Sequence, residues 1–243
     1  MSEIQVIKRN GNKDALDLEK LHKVVFSACE NLNGVSASEV EIKSSLQFYS
    51  GITSSEIQET LIKSAADLIS EEQPNYQWVA GRLIVYHLRK MVYGQYDPWH
   101  ISKLIKTNVE EGFYDNSLLE KYTDEEWDEL NSHLKHDRDE TMTYAAMEQW
   151  RGKYLVQNRV TNIIKETPQM AYMLISATLF AEYPRETRLQ WVKDYYDAVS
   201  LFYISLPTPV MAGVRTPQRQ FSSCVLIETC LLYTSPSPRD VSS

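Results

Sequence analysis

Three thiols stand out among the residues that could do chemistry: Cys29, Cys224 and Cys230. Three cysteines build no disulfide framework, and no Cys-x-x-Cys spacing offers a metal site. Thiol chemistry would therefore fall to a reactive cysteine, not to a structural staple. Cys29 sits beside Ala28 on an apolar helical stripe, which suits a buried core thiol. Cys224 lies between Ser222-Ser223 and the apolar run Val225-Leu226-Ile227, where a lone cysteine is ordinarily buried and inert. Lys8, Lys20 and Lys90 fall on three predicted elements, and each alone reads as a solvated surface charge. Thr208 and Ser223 alone read as loop hydroxyls that satisfy nearby backbone. His136-Asp137-Arg138-Asp139 is like an acid–base or metal cluster only superficially. His22, His87, His100 and His133 are too scattered for a metal site, so no metal is expected.

A hairpin and four helices must position the lysines. Val6, Ile7 and Lys8 run into Asn10-Gly11, a pair suited to a type I′ turn because both central residues need positive φ. Lys13 to Leu16 is the return strand. Leu18, Leu21, Val25, Ala28 and Leu32 step by three and four residues along one helix face, closed by Asn33-Gly34. Ser36-x-x-Glu39 reads as a capping box that opens a helix through Leu46. Thr53-x-x-Glu56 reads as a second box, ahead of Ile57, Leu61, Ala65 and Leu68. Pro74 suits the first turn of the fourth helix, whose apolar face is Ala80, Leu83, Ile84, Leu88 and Met91. Arg89 and Lys90 favour its negative end, and Gly94 can close it.

Residues 99–150 read as short charged and aromatic helices. Two longer helical patterns fill 167–204, split at Tyr183-Pro184-Arg185. Leu206-Pro207-Thr208-Pro209-Val210-Met211 reads as extended, since its prolines lack amide donors. Val225-Leu226-Ile227 reads as a buried strand.

Composition narrows the class. Hydrophobic residues make up 43% of the 243, enough for a packed core, and 8 Gly with 9 Pro suit long helices. The net charge of −8 contains no block of Lys or Arg, which argues against a nucleic-acid footprint and against a membrane-surface role. No apolar run approaches the roughly 20 residues that span a bilayer. The N-terminus lacks the basic and apolar regions of a signal peptide. A cytoplasmic protein without nucleic-acid or membrane partners is the expectation.

Two stretches carry a family resemblance. Val6-Ile7-Lys8-Arg9-Asn10-Gly11 with Leu18-Glu19-Lys20 resembles the opening of an ATP-cone, the regulatory nucleotide-binding domain of ribonucleotide reductases. Residues 204–217, Ile204-Ser205-Leu206-Pro207-Thr208-Pro209-Val210-Met211-Ala212-Gly213-Val214-Arg215-Thr216-Pro217, are followed by Arg219-Gln220-Phe221-Ser222-Ser223-Cys224. Together they resemble the start of the catalytic barrel in the class I (aerobic) large, or alpha, subunit. Gly152-Lys153-Tyr154-Leu155-Val156-Gln157-Asn158-Arg159 and Tyr183-Pro184-Arg185-Glu186-Thr187-Arg188-Leu189 are similar to the same family between them.

The resemblance implies a mainly α chain in four parts. A hairpin plus four-helix ATP-cone covers 4–94 and a helical connector 95–203. The first strands of a ten-stranded α/β barrel cover 204–229. Residues 230–243 look like a non-native tail similar to translated adapter sequence. It implies an oxidoreductase that reduces ribonucleoside diphosphates to deoxyribonucleoside diphosphates under ATP and dATP control. A thiyl radical removes a ribose hydrogen, the 2′-hydroxyl leaves as water, and two further thiols supply two electrons and become a disulfide. Cys224 matches one member of that reducing pair, and Thr208 and Ser223 match substrate-holding positions.

In the cone, Lys8, Lys20 and Lys90 match cations facing the effector phosphates. Asp14, Ala15, Leu16, Asp17, Leu18 and Glu19 match the lining between them, and Ser54 stands where the family often has Thr. Glu56 and Gln58 stand where some relatives carry Asp and His, which puts inhibition by dATP in doubt. His136-Asp137-Arg138-Asp139 falls in the helical connector, where a salt-bridged structural role is implied.

The implied partners are the small (beta) subunit with its radical metallocofactor, thioredoxin or glutaredoxin, and a second copy of the large subunit. No cofactor is expected on this chain itself. Truncated at the barrel's first edge, it is expected to be inactive alone and poorly ordered beyond about residue 200, where barrel neighbours are missing. A stand-alone DNA-binding ATP-cone regulator would carry a zinc ribbon ahead of the cone, and no Cys-x-x-Cys exists here. A split enzyme remains an alternative; a continuous downstream reading frame would speak for truncation.

Overall fold

The computed structural model describes residues 4–224. Strand β1 (Gln5–Ile7) pairs antiparallel with β2 (Lys13–Ala15) and parallel with β3 (Ile52–Thr53), in the order β2-β1-β3. The hairpin turn is not the type I′ expected. Gly11 alone in the turn takes positive φ, +83°, while Gly11 N donates to Lys8 O at 2.9 Å and Lys8 N to Asn12 O at 2.8 Å. Residues 8–12 thus connect the strands, and the left-handed conformation falls on the one residue without a Cβ.

Helix α1 (Leu18–Cys29) starts at Asp17, whose Oδ1 accepts from Lys20 N at 2.9 Å. It stops short of Asn33-Gly34. Arg82 donates to the carbonyls of Ala28 (3.1 Å) and Glu30 (2.6 Å), and Asn31 turns left-handed at φ 58°. A distant guanidinium closes the helix before its local stop signal. Leu32 accordingly lies outside the helix, and Leu18 is 65% exposed.

Helix α2 (Ala37–Ser45) lacks the expected capping box. The Tyr76 hydroxyl stands between its partners, accepting from Ser36 N at 2.9 Å and donating to Glu39 Oε2 at 2.5 Å. Helix α3 (Ser54–Ala66) has the box in full: Thr53 N donates to Glu56 Oε2 at 2.8 Å and Glu56 N to Thr53 Oγ1 at 3.1 Å. Helix α4 (Tyr76–Tyr93) ends at Gly94 with φ 71°. Its predicted face is buried at Ala80, Leu83, Ile84 and Leu88. Cys29 is half-buried, and burial pushes its thiol up to about 11.

The rest is helical. It runs through α5 (Ile101–Glu110), α6 (Ser117–Lys121), α7 (Asp124–His133), a 3₁₀ stretch (His136–Thr141) and α8 (Tyr144–Gln149). A π-helical turn (Trp150–Tyr154) follows, then α9 (Pro168–Leu179) and α10 (Arg185–Ser200), the last two divided at Tyr183-Pro184 as predicted. Helix α9 is buried on all sides from Pro168 to Ala177. One apolar core runs from the small sheet through α4 into this region. Among the described residues no helix is long and apolar enough to cross a membrane.

The segment after α10 departs from expectation twice. Thr208–Gly213 forms a short helix, α11, with Pro207 as its N-cap and Pro209 in its first turn. There the missing amide has no intrahelical partner to lose. Met211, Val214 and Arg215 are also buried, so part of this segment finds its packing within the chain. Among the described residues no strand of a barrel occurs, and Val225-Leu226-Ile227 lies outside them, as does the 230–243 tail.

The His136-Asp137-Arg138-Asp139 run is structural. Arg138 Nη1 donates to Asp197 Oδ1 at 2.6 Å. No three metal-ligating side chains cluster among the described residues. Burial lowers His136 to about 4 and raises Asp139 to about 7.

Two outcomes follow from this packing. Gly81 lets α4 touch the 3₁₀ stretch: an added Cβ would stand 2.3 Å from Met142 O, a backbone atom. Alanine favours a helix interior by about 1 kcal/mol, but overpacking against backbone costs about 1–3 kcal/mol. Gly81→Ala therefore lowers stability in urea unfolding; a stabilised variant would refute the close approach. Asp139 titrates near 3.8 when unfolded and near 7 when buried, so the folded state binds the extra proton between those values. Its contribution thus falls as pH rises through that window. Asp139→Asn should remove that fall, read as a flatter stability curve from about pH 4 to about pH 8.

Candidate functional site

The β1–β2 turn, the start of α1, the start of α3 and the end of α4 enclose a cavity of about 540 Å³. Each element arrives for a local reason. The turn at Gly11 presents Lys8, Arg9 and Asn10. Asp17 caps α1, setting Lys20, Leu21 and Val24 along the wall. The Thr53–Glu56 box fixes the first turn of α3, from which Ser54, Ile57 and Gln58 face inward. Tyr86, Lys90 and Gly94 close the site at the end of α4.

Cations dominate the lining. Lys8, Arg9, Lys20 and Lys90 meet Asp14 and Asp17. Lys8 Nζ is 3.9 Å from Asp14 Oδ2, a loose pair. Arg9 Nη1 donates to the Lys90 carbonyl, joining the turn to the negative end of α4. Burial, then the charges of Lys20 and Arg9, push Lys90 below its ordinary range. Burial also lowers Arg9 and raises Tyr86. Lys90 Nζ stands 5.8 Å from the Tyr86 ring centroid. Gln58 Oε1 is buried and has no hydrogen-bond partner among the described residues. Crowded cations, a helix N-terminus and an idle amide oxygen make a site for an anion that also carries a hydrogen-bond donor.

Of the predicted cone residues, the cavity brings together Lys8, Asp14, Leu16, Asp17, Lys20, Ser54 and Lys90. Ala15, Leu18 and Glu19 do not line it: Ala15 pairs with Gln5 in the sheet, and Glu19 turns to Lys23 at 2.7 Å. Glu56 is spent on its capping box and on Tyr49, 3.4 Å away, in a separate groove. Gln58 alone of that pair reaches the cavity. Arg9 and Tyr86 were not anticipated as lining. Tyr86 lies four residues before Lys90, and that helical spacing could have found it.

Thr208, Ser223 and Cys224 are all exposed. Thr208 opens α11. A cavity of about 390 Å³ lined by Val210, Val214, Arg219 and Phe221 against Asp115 and Lys121 includes none of the three.

Comparison with known families places these regions. Residues 4–91 match the ATP cone domain, and residues 140–219 match the ribonucleotide reductase all-alpha domain. The chain is homologous to the N-terminal region of ribonucleoside-diphosphate reductase alpha subunits. It is 56% identical over 223 residues to "Ribonucleoside-diphosphate reductase 1 subunit alpha" of Escherichia coli, covering 92% of this chain and 29% of that protein. It is 55% identical over 225 residues to the alpha subunit of Haemophilus influenzae, covering 93% and 30%. With that of Helicobacter pylori it shares 35% over 226 residues, covering 93% and 28%. The chain thus spans less than a third of the length of these relatives. The reductase homology accounts for both the cone at one end and the buried helical region behind it.

Proposed function

We propose that the 4–94 unit binds ATP and dATP as allosteric effectors through Lys8, Asp14, Leu16, Asp17, Lys20, Ser54 and Lys90, with Arg9 and Gln58 beside them. The observation that carries this is the convergence of four cations on one cavity, with the Lys90 charge disfavoured by burial and then by its neighbours Lys20 and Arg9. A polyphosphate relieves that repulsion. Gln58 Oε1 can accept from a base or sugar donor. Glu56 is too far committed to its helix cap to read the sugar, so any distinction between ATP and dATP falls to Gln58.

On this reading the 95–203 region is a connector and the 204–229 segment the first edge of a catalytic barrel. The longer protein reduces ribonucleoside diphosphates, with Thr208 and Ser223 holding substrate and Cys224 as one thiol of the reducing pair. Its partners are a beta subunit carrying the radical metallocofactor, a thioredoxin or glutaredoxin, and a second alpha subunit.

Calorimetry on the chain tests the effector site. Saturable ATP binding that weakens with added salt is expected, and Lys8→Ala with Lys90→Ala should lower affinity about tenfold or more without unfolding the cone. No heat at millimolar nucleotide would refute the reading. For Cys224, the test uses the chain extended by the C-terminal remainder of such subunits. Cys224→Ser keeps a hydrogen bond but cannot form a disulfide, so multiple-turnover deoxynucleotide formation is lost while ATP binding survives. Wild-type turnover by that variant would remove the assignment.

A further inference from the structure

The run from Pro217 to Cys224 is exposed apart from half-buried Phe221, yet the charged residue two positions before it is fully buried. Arg215 has 0% side-chain exposure and pairs with Glu166, also at 0%. The pair is bidentate: Arg215 Nε donates to Glu166 Oε2 at 2.8 Å, and Nη2 to Oε1. Four of the five guanidinium N–H donors find acceptors. Arg215 Nη1 donates to Met211 O at 2.5 Å, and Nη2 to Tyr154 O at 2.9 Å. Glu166 accepts from Tyr114 Oη at 2.6 Å and from Val156 N at 2.6 Å. Asp115 N donates to Arg215 O at 3.0 Å. Burial works against the guanidinium charge, but Glu166 outweighs it and holds Arg215 above its ordinary value.

A buried ion pair is a poor way to gain stability, because desolvation offsets most of the attraction. It is a strict way to fix geometry, since few arrangements satisfy every donor and acceptor. Here the arrangement joins four separate pieces: the α5–α6 loop at Tyr114, the π-helical turn at Tyr154, the start of α9 at Glu166 and the end of α11 at Arg215. The same segment is tied again from outside by Arg219 Nη2, 2.5 Å from Asp115 Oδ2. Phe221 packs near Gly213, where a Cβ would lie 3.4 Å from its ring.

We infer that Arg215 and Glu166 are positioning residues for the thiol chemistry of Cys224, fixing the run that carries Thr208 on one side and Cys224 on the other. The inference rests on the reading of Cys224 as a reductase thiol. Arg215 touches neither that sulfur nor a substrate; it acts through the backbone that presents them.

The test uses the whole chain with Cys29→Ser and Cys230→Ser, so that a nitroxide can be attached to Cys224 alone. The parent should show a restricted label. Glu166→Gln, which leaves Arg215 buried without a countercharge, should mobilise the label. It should also speed exchange of the Val210, Met211, Val214 and Thr216 amides at least about tenfold, with α1 to α4 unchanged. Arg219→Ala breaks the pair with Asp115 and two backbone contacts made by an exposed side chain, and should leave those amides within about twofold. Should Glu166→Gln fail to fold, Tyr114→Phe removes one bond to the pair without orphaning a charge, and a smaller effect of the same sign is expected. A mobile label in the parent, an unmoved label in the variants, or acceleration spread evenly over the chain would each overturn the proposal. None of these readouts involves nucleotide reduction, so the positioning role and the reductase reading fail separately.

Discussion

The structure hangs on α4, a helix with no free side. One face, through Leu83, Ile84 and Leu88, closes the core of the N-terminal unit. The opposite side meets the 3₁₀ stretch so closely that position 81 tolerates no side chain. Its C-terminal end carries Tyr86 and Lys90 into the cation-lined cavity. Arg82 reaches back to close α1, and Arg89 Nη2 donates to His136 O at 2.8 Å. A helix used on every face cannot shift for one neighbour without disturbing the others. The cavity's shape is therefore set partly by residues 136–143 packed behind it.

Charge is handled in two opposite ways. In the cavity, Lys8, Arg9, Lys20 and Lys90 outnumber nearby carboxylates, and burial together with that crowding holds Lys90 below its ordinary range. That unrelieved repulsion is what an anionic ligand can lower. Arg215 and Glu166 are both fully buried, and four of the five guanidinium donors and both carboxylate oxygens are matched within the chain. An open set of like charges makes a binding site; a closed, matched set makes a joint.

How much of this was legible in the sequence depended on how local the cause was. The Thr53–Glu56 box, the Gly94 stop and the break at Tyr183-Pro184 are decided within a few residues, and each stands as predicted. Where a distant side chain intervenes, local signals fail. Tyr76 takes over the Ser36–Glu39 box, and Arg82 ends α1 before its glycine. Strand β3 is too short to leave a period, and the α11 prolines are permitted by position, a matter of where the helix starts. The lysines of the site carried no signal of their own; family likeness singled them out. Arg9 and Tyr86 gained meaning only once the turn and the helix end were placed side by side.

The cavity and the Cys224 segment lie at opposite ends of the chain, and separate polar contacts at the π-helical turn reach toward each. Gln58 lines the cavity; the next residue, Glu59, points away and accepts from Arg151 Nη1 at 2.8 Å. Arg151 also holds Glu148 at 2.6 Å, and burial of its charge is outweighed by these two carboxylates. It sits in the π-helical turn, whose last residue, Tyr154, offers its carbonyl to Arg215. A turn with one residue too many per helical repeat is a costly shape, kept where the chain needs a side chain or carbonyl re-aimed. Here two groups leave the turn: the Arg151 side chain reaches Glu59 of α3, and the Tyr154 carbonyl accepts from Arg215. The irregular turn is thus the piece of backbone that both ends of the chain have in common.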